Sequence, residues 1–158
     1  MAKKAANRSS ATAEIKISVT QFKDVFAGDS CGTDYRMKMI SKNPRVFIDG
    51  DVIYVKPPAV TIRFTIASSP GDKERYFPIG ITFVRQSEHN TSDEQRLGLL
   101  NFPQRKTRVL EQFISITDSY RDKEKGSRYK FSVVIQRGSD GKIGIIDPGI
   151  AHDNSGFH

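Results

Sequence analysis

YKFSVVIQRGSDGKIGIIDPGIAHDN, residues 129–154, is the stretch that decides the fold. Tyr129, Phe131, Val133 and Ile135 alternate with Lys130, Ser132, Val134 and Gln136. A period of two puts the first set on one face of a strand and the second set on the other. Gly138-Ser139-Asp140-Gly141 supplies turn chemistry, because Asp and Gly accept positive φ and an Asp side chain bonds nearby backbone N–H groups. Ile143, Ile145 and Ile146 then form the return strand. Asp147-Pro148-Gly149-Ile150 reads as a rigid exit from the sheet, since proline fixes φ and donates no hydrogen bond. Asp140, Gly141, Asp147, Pro148 and Asn154 are therefore expected to be structural, with Asp147 accepting backbone hydrogen bonds and Asn154 capping a neighbouring loop.

Working outward, the same period recurs. Ile15, Ile17 and Val19 alternate with Glu14, Lys16, Ser18 and Thr20. Val60, Ile62, Phe64 and Ile66 alternate with Thr61, Arg63 and Thr65. Val46 to Ile48 and Val52 to Val55 flank Asp49-Gly50-Asp51, a hairpin signal. Tyr35 to Ile40 is a weaker strand candidate. Tyr76 to Val84 is another strand, and Pro78 places it at an edge or a bulge. Gln86 to Arg96 reads as a polar excursion, Leu97 to Phe102 as a strand or helical turn, and Arg105 to Thr117 as one bulged strand. No amphipathic helix and no repeat is visible. Short strands with loops every 8 to 12 residues predict an all-β sandwich of about seven to nine strands.

The 158 residues predict one domain at 14–158, preceded by a disordered basic tail at 1–13. The net charge is +7, from 25 basic and 18 acidic residues. Lys3, Lys4 and Arg8 lie in the tail, leaving 22 basic residues beyond it. A basic tail can touch nucleic acid through salt-sensitive contacts, but a solvated tail that aids solubility is the simpler account of the charge. No apolar run is long enough for a membrane helix, and residues 1–13 lack the apolar core of a secretory signal. The lone Cys31 cannot pair internally. These features predict a cytoplasmic protein with no membrane partner.

The chain contains neither a P-loop nor a dinucleotide-binding glycine pattern. Its histidines, His89, His152 and His158, lack the spacing of a zinc site. The Asp-Gly pairs lack the further oxygen ligands of a calcium loop. No cofactor is expected. Arg105, Lys106 and Arg108 form one basic cluster; Arg121, Lys123, Lys125, Arg128 and Lys130 form another, interrupted by Asp122 and Glu124. With most aromatics on the buried phase, these clusters read as solvated faces.

An aromatic strand, an Asp-Gly turn, a short strand and then Ile146-Asp147-Pro148, Ile150 and Asn154 resembles the end of the bacterial DP-EP family. Val60 to Phe64 after paired prolines, and Tyr76-Phe77-Pro78 before Ile81-Thr82-Phe83, resemble upstream segments of that family. The resemblance spans roughly residues 45–154 and departs from the family at Ala151-His152-Asp153. It implies an immunoglobulin-like antiparallel β-sandwich. Some members carry a nucleotide-synthetase label, but this chain lacks the phosphate cradle such chemistry needs. The leading expectation is a non-enzymatic module that binds a protein partner or its own copy. The alternatives are a basic module for nucleic acid or polyanions, and a small nucleotide-handling or hydrolytic enzyme using Asp147 and His152.

Overall fold

The computed structural model describes residues 12–27, 32–41, 43–86, 92–119 and 127–152. In chain order these form β1 (Thr12–Gln21), a 3-10 turn (Val25–Ala27), β2 (Asp34–Met39), β3 (Val46–Asp49), β4 (Val52–Val55), β5 (Val60–Ser68), β6 (Tyr76–Arg85) and α1 (Asp93–Arg96). They continue with β7 (Gln104–Arg108), β8 (Phe113–Asp118), β9 (Arg128–Arg137), β10 (Ile143–Ile146) and β11 (Gly149–His152). The architecture is the all-β sandwich that the alternation predicts, with eleven strands among the described residues. β1 begins at Thr12 and Ala13 is fully buried, so residues 12 and 13 belong to the domain and not to the tail. The remainder of that tail, residues 1–11, lies outside the described residues, as do Cys31, His89, the 121–125 cluster, Asp153, Asn154 and His158.

The first sheet has the order β2-β1-β5-β8-β7. In the second, β9 is flanked on one side by β6 and on the other by β10 and β11, and β4 and β3 continue beyond β11. Both sheets are mixed, which corrects the antiparallel expectation: β1 runs parallel to β5, and β11 runs parallel to β4. A period of two reports which face of a strand is buried. It carries no information about the direction of the neighbouring strand.

The inner faces meet as the alternation predicts. Ile15, Ile17, Ile62, Phe64, Ile114 and Ile116 from the first sheet are fully buried against Phe83, Phe131, Val133 and Ile135 from the second. Phe64 packs on Phe131 with ring centroids 5.3 Å apart, and Phe83 stacks on Phe102 at 4.2 Å. Each such side chain contributes about 1.5–3 kcal/mol on leaving water. Pro78 produces the expected register shift in β6, between Pro78 and Gly80, and β6 is also an edge.

Two local expectations change. Residues 105–117 are a hairpin and not one bulged strand. Its turn, Val109-Leu110-Glu111-Gln112, contains no Gly, Pro, Asn or Asp, and Gln112 takes φ 59°. Tertiary bonds hold it there: the Gln112 side-chain amide donates to the Tyr76 carbonyl, and the Gln112 carbonyl accepts from the Ile66 N–H. The polar excursion contains the short helix α1, started by a reciprocal capping box between Ser92 and Gln95.

The Asp140-Gly141 turn forms as read. Gly141 has φ 73°, and Asp140 accepts the Lys142 N–H at 3.1 Å and grips Arg137 at 2.6 Å. That arginine holds the Asp140 carboxyl down to about 2. Asp147-Pro148, by contrast, is no exit. β10 and β11 face β9 in one unbroken register, with Ile146 opposite Val133 and Gly149 opposite Lys130. The Pro148 carbonyl still accepts the Phe131 N–H at 3.0 Å. Proline removes one ladder bond without ending the pairing, and beyond it the outer edge of the strand takes up β4.

Candidate functional site

The two outer faces differ in chemistry. On the first sheet, the outward positions are set by the same alternation that buries the isoleucines. Lys16 and Glu14 come from β1, Arg36 and Lys38 from β2, Arg63 from β5, and Lys106 and Arg108 from β7. Cross-strand pairing assembles them into rows. Lys38 lies opposite Lys16, Lys16 beside Thr65, Thr65 opposite Phe113 and Phe113 opposite Arg108. This row crosses all five strands, about 19 Å at roughly 4.8 Å per step. A second row runs Glu14, Arg63, Ser115, Lys106.

Lys16, Arg36, Lys38, Arg63, Lys106 and Arg108 thus share one face with two carboxylates. Glu14 lies 3.9 Å from Arg63, and Asp34, at the corner, lies 3.6 Å from Lys23. The hydroxyls of Ser18, Thr61, Thr65, Ser115 and Thr117 fill most of the space between the cations, and Thr61 and Thr117 bond each other at 3.3 Å. A groove of about 520 Å3 opens at the β1–β2 side, lined by Lys16, Ser18, Arg36, Lys38 and Ser69. Cations interleaved with hydroxyls offer donors at every step, which is what a run of phosphates accepts.

Arg105 is not part of this face. It is half-buried, donates to the carbonyls of Phe102 and Leu97, and lies 4.7 Å from the centre of the Phe83 ring. Burial lowers its affinity for its proton. Arg128 and Lys130 are on the outer face of the second sheet, so the predicted clusters are divided. Sequence clustering missed the real one because its members come from four strands scattered between residues 16 and 108. The available signal was phase: Lys16, Lys38 and Arg63 each sit between apolar neighbours.

The outer face of the second sheet carries an apolar patch beside Arg128 and Lys130. Phe47 stacks on Tyr54 at 4.9 Å, and Val52, Val134, Ile143 and Ile145 share the face with them. At one end an open cleft of about 960 Å3 is lined by Tyr35, Arg36, Asp34, Asp51 and Asp147. The Ser132 hydroxyl, on the adjacent strand, donates to Asp147. Burial, helped by the charges of Asp51 and Asp147, pushes the Tyr35 hydroxyl up to about 12.

Asp147 and His152 are not brought together. Asp147 faces outward at this cleft, whereas His152 points into the sandwich. There its Nε2 lies 2.6 Å from Asp118 Oδ2, with the two side chains 1% and 0% exposed. Asp118 ends β8 and His152 ends β11, so the pair joins the two sheets through the interior. Asn101 lies in the same buried end and donates to the Tyr129 hydroxyl at 2.9 Å. The sequence singled out His152 but not Asp118, whose place on the buried phase of ISITD was the available signal. Among the described residues, no group of three His, Cys, Asp or Glu side chains is arranged to hold a metal ion. No helix there is long and apolar enough to cross a membrane. No family model, curated protein or solved structure matches this chain.

Proposed function

We propose that the chain is a nucleic-acid-binding module that grips the phosphate backbone through the outer face of its first sheet. One observation carries this reading: six cations against two carboxylates on one hydroxyl-rich face. Neutralising phosphates releases condensed counterions, so affinity falls steeply with salt. Six single-strand phosphate contacts correspond to a slope of about −4 in log K against log salt.

The test is fluorescence anisotropy with a labelled oligonucleotide across a salt series. A chain lacking residues 1–11 must retain the slope, because the face and not the tail supplies it. The variant carrying Lys16→Gln, Lys38→Gln, Lys106→Gln and Arg108→Gln is expected to lose about 3 from the slope and more than tenfold in affinity. Unchanged binding by that variant would sink the reading.

A second reading, a protein partner or a second copy, is favoured by the apolar patch on the outer face of the other sheet around Phe47, Tyr54 and Ile145. Light scattering tests it: a dimer that Tyr54→Lys dissociates supports it, and a monomer at high concentration removes self-association. Kinship with the DP-EP family and an immunoglobulin-like lineage are further proposals, supported by the hairpin around Asp140-Gly141.

A further inference from the structure

Arg63 stands at the centre of the basic face and differs from the other five cations. Its guanidinium carbon lies 4.3 Å from the centre of the Phe113 ring. Among the described residues, Phe113 is the one aromatic side chain on the outward phase of the first sheet, between Thr65 on β5 and Arg108 on β7. Glu14 touches the arginine only at 3.9 Å, and the Arg63 Nε is buried with no hydrogen-bond acceptor. The ring, and not an ion pair, therefore sets the orientation of the group. A guanidinium is planar, delocalised and weakly hydrated, so both of its faces stack. One face is taken by Phe113. The side chain is 43% exposed, which leaves the other face toward solvent.

From this geometry we propose that the Arg63–Phe113 stack is a platform for one base of a single-stranded nucleic acid. The proposal rests on the phosphate-binding reading of the same face. Lys16, Arg36 and Lys38 lie to one side of the platform and Lys106 and Arg108 to the other. A strand laid across the sheet places phosphates over both groups and a base over the middle. In a duplex the bases are already stacked on one another and present no free face, so the platform selects single strands. Stacking on a π-face tolerates any base, so the platform gives no sequence preference.

The experiment compares two labelled oligomers of equal length by anisotropy: an oligothymidylate and its abasic counterpart, which keeps the phosphates and lacks the bases. The full chain is expected to bind the oligothymidylate roughly 5- to 150-fold more tightly, the range of one base–side-chain stack. Arg63→Lys keeps the charge and removes the plane. It is expected to bring oligothymidylate binding down to the abasic level. Phe113→Leu, which touches none of the phosphate-gripping cations' charges, is expected to do the same while leaving abasic affinity and the salt slope unchanged. If that variant does not fold, Arg63→Lys alone decides. Equal affinity of the unaltered chain for the two oligomers overturns the platform and leaves the phosphate reading standing. Failure to bind either oligomer overturns both, and tighter binding to a duplex than to the single strand overturns the platform.

Discussion

Replacing Asp118 with alanine should be among the most damaging single changes in this domain. The carboxylate is 0% exposed and sits 2.6 Å from His152 Nε2, itself 1% exposed. Removing one member of a buried pair leaves the other polar group in an apolar interior, at a cost of about 3–5 kcal/mol. A domain of this size has roughly 5–15 kcal/mol in total. Each kcal/mol lowers the melting temperature by about 2–4 °C at this chain length, so a loss of roughly 6–20 °C is expected. Asp118 and His152 both take part in further interactions, so neither single variant isolates the pair. A double-mutant cycle does: Asp118→Ala, His152→Ala and the double variant, each unfolded in urea. A coupling of about 1–3 kcal/mol is expected, so the double variant should cost less than the sum of the two singles by that amount. Additive singles, or singles that each cost under about 1 kcal/mol, would refute the reasoning that this pair ties the two sheets.

Three further outcomes are expected. Tyr35→Phe should remove one phenol from the absorbance titration near pH 12. Because the folded pKa lies above the unfolded value of about 10, the contribution is complete below pH 10. It is lost as pH rises to 12, so the variant should show a flatter alkaline stability profile, and an identical profile would refute the assignment. Gly98→Ala should cost upwards of about 2 kcal/mol: Gly98 has φ +69°, and an added Cβ would stand 2.9 Å from Phe83 Cβ. An unchanged thermal midpoint would contradict that. Arg105→Ala should lower stability by about 1–3 kcal/mol without altering oligonucleotide affinity, whereas Lys106→Ala should do the reverse. Matching effects from the two would erase the distinction between the buried and the outward phase of β7.

What the sequence made legible was phase. The alternation in residues 15–19, 60–66 and 129–135 placed nearly every buried side chain on the correct face, because burial of one strand face is a local property. The Gly141 turn was legible for the same reason: its chemistry is contained in four residues. Four things were not. The turn at 109–112 carries no turn residue, and Gln112 is held at positive φ by Tyr76 and Ile66, distant partners that no local window contains. The parallel pairs β1–β5 and β4–β11 depend on where long connections return. Pro148 gave a correct local signal, a missing donor, whose consequence was set by β4 arriving on the open edge. The basic face was hidden similarly: each cation was visible in its strand, but the row from Lys38 to Arg108 exists only once five strands are paired.

The register that runs unbroken through Pro148 also bears on the order of assembly. Among the described residues, β11 is the only strand that joins the β3–β4 hairpin to the rest of the second sheet. During synthesis, residues 46–55 emerge nearly a hundred residues before the strand that will hold them. Until β11 is made, the β3–β4 hairpin has no strand of its own sheet to pair with, and packing through core side chains such as Val46, Ile53 and Val55 must hold it to the rest. The ribosome must release residues 149–152 before the second sheet can close on that hairpin, so a product stalled before residue 149 would leave the aromatic pair Phe47–Tyr54 on strands with no partner beyond their own hairpin.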